Sequence, residues 1–384
     1  MTNAPIMSVL SALRISHRPA AAFCIVGLFW GSMAALAPQL KAQINADDAQ
    51  FGMLLLGTSL GLLTTMILAP IFDRIMGQWG LPVAAIGLAC AFLLPGLATT
   101  HMAFFLAMCA AGLGSGLLDV TMNARVSELE AQHNRSLMNA NHGMFSVAYA
   151  LGAFCTGLGR EAGFAPFTIF ATVGVVALLL VTRTRMQVVE ISEEERAAAT
   201  FPWGIVGLCG AVVLIAFMAE AAVESWSALH VERTLGGRAA QGALGPTMLG
   251  LTMAVGRFGG QAVAEKWSDL AVITGGAILS IAGALIAALA PTPLIAYIGF
   301  GTLGLGVSAI GPIGLAMVGR MVSPAVRTKA ISRAAVIGFS GFFVAPAAMG
   351  IISHSYGLRM AFAALALLVV ALFPLLVVLK RRGA

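Results

Sequence analysis

Residues 112–146 read GLGSGLLDVTMNARVSELEAQHNRSLMNANHGMFS. The stretch continues an apolar run that starts near Met102 and sets a lone carboxylate, Asp119, inside it, with Asn123 four residues on and so on the same helical face. Ionisable side chains are rare in lipid-embedded helices and face a bundle interior or a wet cavity, so Asp119 marks a substrate or proton path. The competing reading, a helix-end charge reaching for headgroups, fits poorly with so short a side chain lying a full turn before Arg125.

Composition supports a lipid setting. The 384 residues are 59% hydrophobic and only 10% charged, with mean hydropathy +0.93, whereas roughly a quarter of the residues of a soluble domain are charged. Apolar stretches of about 20 residues, the length that crosses the hydrocarbon core, fall at 19–40, 50–71, 81–100, 102–124, 140–160, 165–183, 203–229, 243–264, 271–290, 294–317, 331–353 and 359–379, twelve in all. The expectation is an all-α membrane protein of twelve transmembrane helices. The net charge of +6 does not point to nucleic acid, because the basic residues cluster at span ends, where the membrane surface accounts for them. The five cysteines lie in apolar spans with no CxxC pair, so they are read as packing residues, without disulfide, metal or cofactor.

With both termini cytoplasmic, only Lys41, Arg160, Arg233, Arg238 and Arg359 of the 22 basic residues fall outside, which favours that orientation. The first span lacks a cleavage site and is read as an uncleaved helix. The longest polar interruption, Arg183 to Pro202, divides six spans from six. The expected parts are an N-terminal bundle 1–183, a cytoplasmic linker 184–202 and a C-terminal bundle 203–384. An offset of 192 lays Gly112-Leu113-Gly114 on Gly304-Leu305-Gly306, Asp73-Arg74 on Glu265-Lys266 and Arg135 on Arg327, the pattern of a duplicated six-helix unit. Duplicated halves joined in this way point to a secondary transporter whose site lies between them near the midplane. The fourth span and the tenth, with its Gly311-Pro312 step, are the glycine-interrupted pair that marks such a site. The same glycines also serve close helix packing.

The chain resembles the major facilitator superfamily over essentially its whole length, with twelve spans in two pseudo-symmetric bundles and an acid-base pair after spans two and eight. The superfamily's loop signature, Gly-x-x-x-Asp-Arg-x-Gly, is present in degenerate form around Asp73-Arg74, with Ala69 for its first glycine and Gly77 one place late. The resemblance would have Asp73 and Arg74 brace an inner gate; chemically they are equally a solvated loop pair worth under about 1 kcal/mol. Within the superfamily the opening stretch is similar to the fucose-proton symporter family and, closer still, to its branch of rhizopine-associated bacterial membrane proteins. It carries Gly114-x-Gly116-Leu117-Leu118-Asp119 with Asn123, then Asn139-Ala140-x-x-x-x-Phe145, and the seventh-span run Glu220 to Leu229. The symporters' first-helix acid has no counterpart in Gly31 to Ala37, so a relay between first- and fourth-helix acids does not carry over.

Further candidates come from the residues themselves. Glu220 and Glu224 are i,i+4 neighbours whose like charges repel in a poorly solvated site, as a proton carrier needs, although Glu224 and Trp226 also suit the outer interface. His142 titrates near neutrality and can relay a proton or simply hydrogen-bond a neighbouring helix. Arg257 lies about 20 Å into its span, deep enough to need a partner, and either meets an anionic substrate group or, the favoured reading, holds the inner gate. The expected substrate contacts are Asn123 and Asn141 by hydrogen bonding and Trp30, Phe145, Trp226 and Phe339 by stacking.

The function expected is proton-coupled symport of a small polar metabolite, sugar- or polyol-like, by a monomer in a bacterial inner membrane. The alternative is a proton-driven exporter of amphipathic compounds. A non-transporting sensor would need no buried acids. With no GxxxxGK[ST] loop the chain is not an ATP-driven pump, and no catalytic constellation marks an enzyme.

Overall fold

A computed structural model of the chain describes residues 9–133, 135–186, 201–264, 267–323 and 326–383. The linker segment 187–200 and the Glu265-Lys266 pair lie outside the described residues. Every regular element described is helical. The first half holds α1 (Val9–Ile15), α2 (His17–Gln43), α3 (Asp48–Leu54), α4 (Leu56–Met76), α5 (Gly80–Leu97), α6 (His101–His133), α7 (Met138–Glu161) and α8 (Pro166–Val181). The second holds α9 (Trp203–Leu229) with a π-turn His230–Thr234, α10 (Ala239–Ala264), α11 (Asp269–Leu289), α12 (Pro293–Met321), α13 (Arg327–Phe339), α14 (Gly341–Val370) and α15 (Leu372–Arg381).

The twelve expected crossings map onto these helices. The second pass is α3 with α4, broken at Leu55, and the eleventh is α13 with the start of α14. Within α14 the backbone turns at Gly357, where φ 81° and ψ 165° suit glycine alone, and the rest of α14 with α15 forms the twelfth pass. Seven stretches among the described residues are long and apolar enough to cross a membrane, and the longest, Lys329–Arg381 at 53 residues, holds two crossings. Two others miss that mark for different reasons: α8 is short, and α7 bears the polar side chains Asn139, Asn141, His142, Ser146 and Arg160. Large apolar side chains such as Leu179, Leu289 and Leu367 stand more than two-thirds exposed, a surface that hydrocarbon rather than water has to cover.

Without a hydrophobic drive between helices in lipid, close approach supplies the packing. A Cβ on Gly61 of α4 would lie 2.0 Å from the Cys109 carbonyl oxygen, and one on Gly112 of α6 would lie 2.1 Å from that of Thr58. Between the halves, α7 packs against α10 and α3 against α14. In pass numbers these are five on eight and two on eleven, each the other's equivalent under a six-pass exchange, as a duplicated unit requires.

Gly61→Val should therefore force α4 and α6 apart and cost about 1–3 kcal/mol or more, read as lost monodisperse protein on gel filtration. Gly87→Val, where an added Cβ meets nothing within 4 Å, should leave the yield unchanged.

Candidate functional site

Between the halves lies a cavity of about 360 Å³, walled by α2, α4, α6 and α7 on one side and by α9, α13 and α14 on the other. Asp119 reaches its wall from α6, and Glu220 and Glu224 reach it from α9. Asn123, one turn beyond Asp119, donates to the Asp119 backbone oxygen at 2.8 Å and to Oδ1 at 3.2 Å. That spacing lets the amide orient the carboxylate while itself staying out of the wall. Trp30 stands in the wall with its indole N–H fixed on Ser115 Oγ at 2.9 Å and its ring edge-on to Phe92. Phe145, Phe339, Phe342 and Phe343 complete an aromatic lining, with Phe339 and Phe342 clustered on Phe217.

Glu220 and Glu224, on one helical face, have different surroundings. Glu220 is buried and accepts from Arg257 Nη2 at 3.3 Å. The same guanidinium crosses to the first half, donating to Ser146 Oγ at 2.5 Å and to the His142 backbone oxygen at 3.4 Å, and lies 5.9 Å from the centre of the Phe145 ring. Glu224 takes no hydrogen bond or ion pair among the described residues. His142 sets its ring edge-on to Phe23, beside rather than in the cavity wall.

Besides Asn123, two further residues expected at the substrate stand away from the wall. Asn141 is fully buried, donating to Ser16 Oγ at 2.9 Å and to the Leu137 carbonyl at 2.8 Å, so it ties α7 to the α1–α2 junction. Trp226 is fully buried with its ring edge-on to Phe51, where it packs the α9 face against α3. Asp73 pairs not with its neighbour Arg74, which is exposed, but with the buried Arg125 of α6, which also holds Glu128. α12 runs through Gly311-Pro312 as one helix, and a Cβ on Gly311 would meet the Phe217 ring at 2.8 Å.

A set of ion pairs escaped the sequence reading. At the end that the basic-residue bias assigns to the outside, Arg160 of α7 grips Glu232 of the π-turn through both guanidinium nitrogens at 2.6 and 2.9 Å. Arg233, the next residue, grips Asp48 at 2.6 Å twice, and Asp48 also takes Ser353 and Lys41. Arg238 reaches Glu161 at 3.2 Å. The ion pairs that join the halves among the described residues all fall at this end, so the halves are tied together there. The signal available in sequence was a set of outer-loop acids, Asp47, Asp48, Glu161 and Glu232, equal to the task of matching the few outer arginines.

A helical membrane protein whose two halves enclose one cavity, tied shut at one end, has the build of an alternating-access carrier. The Major Facilitator Superfamily model matches residues 20–302 and 209–384, and the chain belongs to that superfamily; it is a transporter and not an enzyme. It is 31% identical to an uncharacterised MFS-type transporter of Yersinia pestis, covering 90% of this chain and 91% of the relative. It is 26% identical to the membrane protein MosC of Rhizobium meliloti, covering 88% and 83%. Among solved structures it is similar to an inward-facing bacterial homolog of the human lysosomal transporter Spinster (TM-score 0.77, 14% identity, 97% of both chains). It is also similar to the D-xylose-proton symporter (TM-score 0.72, 13% identity, 96% and 97%).

Burial alone would raise the Asp48 carboxyl, but hydrogen bonds from Arg233, Ser353 and Lys41, with the charge of Arg233, outweigh it and hold the group down to about 2. Its contribution to closure is therefore complete above the ordinary carboxylate range and is lost only as pH falls through about 2. Labelling of Thr58→Cys, a cavity-wall position, by an impermeant maleimide from outside should stay low, and flat between about pH 5 and 8 once scaled to the reactivity of a free thiol at each pH. Adding Arg160→Ala removes a buried partner, costs about 2 kcal/mol or more, and should raise outside labelling roughly 30-fold.

Proposed function

We propose that this carrier couples the movement of a small hydroxylated metabolite, sugar- or polyol-like, to protons, by symport across a bacterial inner membrane with both termini cytoplasmic. The observation that carries this reading is Asp119, a carboxylate oriented by Asn123 and set in the wall of a cavity between the halves, opposite Glu224. A carboxylate accepts two hydroxyl hydrogens at once, and flat ring faces such as Trp30 and Phe145 stack on the apolar side of a sugar ring. Asp119 and Glu224 are the groups assigned to the proton, with Glu220 and Arg257 as the ion pair that holds α9, α10 and α7 in register. His142 is assigned a packing role beside them. Asp73, held by Arg125, is read as the brace of the inner gate, with Gly311-Pro312 as the mobile step of α12. The chain is taken to act as a monomer.

A second reading rests on the rest of the wall, where Val336, Phe339, Phe342 and Phe343 form a continuous apolar face. Such a surface suits an exporter that exchanges protons for amphipathic compounds.

Asp119→Asn keeps size and most hydrogen bonding but cannot ionise. In proteoliposomes it should abolish accumulation driven by a pH gradient while sparing exchange between equal pools, since exchange needs no net proton cycle. Accumulation that survives in the variant removes Asp119 from the coupling role and passes it to Glu224 or Glu220.

A further inference from the structure

The charges around the cavity do not balance. Three carboxylates reach the wall, and among its described lining residues there is no lysine, arginine or histidine. Among the described residues Arg257 stands behind the wall, with its guanidinium taken up by Glu220, Ser146 and His142. Among the described residues Asp119 and Glu224, one on each half, are left without an ion-pair partner, Glu224 feeling the Arg257 charge only at a distance. Among its described lining residues the wall also contributes no asparagine or glutamine, and the donors open to the hydroxyl oxygens of a neutral ligand are hydroxyls alone, on Thr58, Thr65, Ser115, Ser225 and Ser332. Trp30 has spent its only N–H on Ser115 and offers the cavity its ring alone. Five aromatic rings and two unpaired carboxylates are the chemistry that receives an organic ammonium, which π faces attract and carboxylates neutralise.

From this inventory we propose that the transported ligand carries a positively charged nitrogen, held between Asp119 of one half and Glu224 of the other. The proposal rests on the reading of this cavity as the transport site and narrows its ligand class to small amines, hydroxylated or aromatic, of a size suited to about 360 Å³. It also supplies a reason for the halves to close. Two ionised carboxylates approaching across a desolvated gap repel, and the repulsion grows as water leaves. An ammonium between them turns that repulsion into attraction from both sides, so it binds the closed form better than the open one, which is the condition for a ligand to drive closure. An anionic ligand meets repulsion in either state.

The test is equilibrium binding to the purified full-length protein in detergent, by thermal shift and titration calorimetry. The probes are matched pairs differing in one group: glucosamine and glucose, benzylamine and benzyl alcohol, cyclohexylamine and cyclohexanol, choline and 3,3-dimethylbutanol. At least one amine should bind about tenfold or more tightly than its alcohol, and Asp119→Asn and Glu224→Gln should each erase about that preference. Gel filtration checks that the variants are folded; should one fail, the wild-type preference and the other variant still decide. Alcohols that bind as well as their amines, a panel in which no amine binds, or a preference that survives both substitutions overturns the proposal. An amine that binds with the stated dependence but is not carried in proteoliposomes supports the ligand class and overturns the transport reading of the cavity.

Discussion

A charge inside hydrocarbon has no water to solvate it, so each one must find a partner within the protein or stand against an internal wet space. That constraint orders the interior of this molecule. Arg257 sits deep in α10 because Glu220 and the polar groups of α7 surround it. Arg125, almost fully buried near the far end of α6, holds Asp73 and Glu128. Among the described residues Asp119 and Glu224 form no ion pair, and they stand in the cavity wall on opposite halves, Glu224 beside the paired Glu220. Position and pairing thus separate structural charges from those available for chemistry.

The same logic acts on the backbone. Helices that meet without a hydrophobic drive gain their energy from proximity, and the glycines at α4 and α6 bring main chains together where any Cβ would collide. The halves then meet along two seams, α7 on α10 and α3 on α14, and the charged grip at one end holds the second seam shut. Arg160 and Glu232 are both largely buried, so their pairing is worth more than that of an exposed bridge, while Arg238 and Glu161 stand mostly in the open and contribute little.

Much of this was legible in the sequence. The twelve passes followed from apolar length, and the turn between the last two falls at Gly357, inside the interval left between the eleventh and twelfth spans. Asp119 with Asn123 was readable because helical spacing is local: four residues apart means side by side. Partners distant in the chain were not. Asp48 and Arg233 are 185 residues apart, and nothing in either segment names the other. Asp73 beside Arg74 invited a local pair, yet the helix turns adjacent residues about 100° apart, leaving Asp73 toward α6 and Arg74 exposed. Asn141 and Trp226 illustrate the converse: polar or aromatic residues near a site read as lining when a neighbouring helix has already claimed them.

The seventh pass shows how cavity and seal share one body. Glu224 and Glu232 are eight residues apart, about 12 Å along a helix, and within the π-turn His230–Thr234 the adjacent Glu232 and Arg233 face α7 and α3 respectively. Because α9 is otherwise continuous from Trp203, any tilt that changes the setting of Glu224 also strains the grip on Arg160 and Asp48. Glu224 in the cavity wall and the ion-paired Glu232 and Arg233 therefore ride on one body.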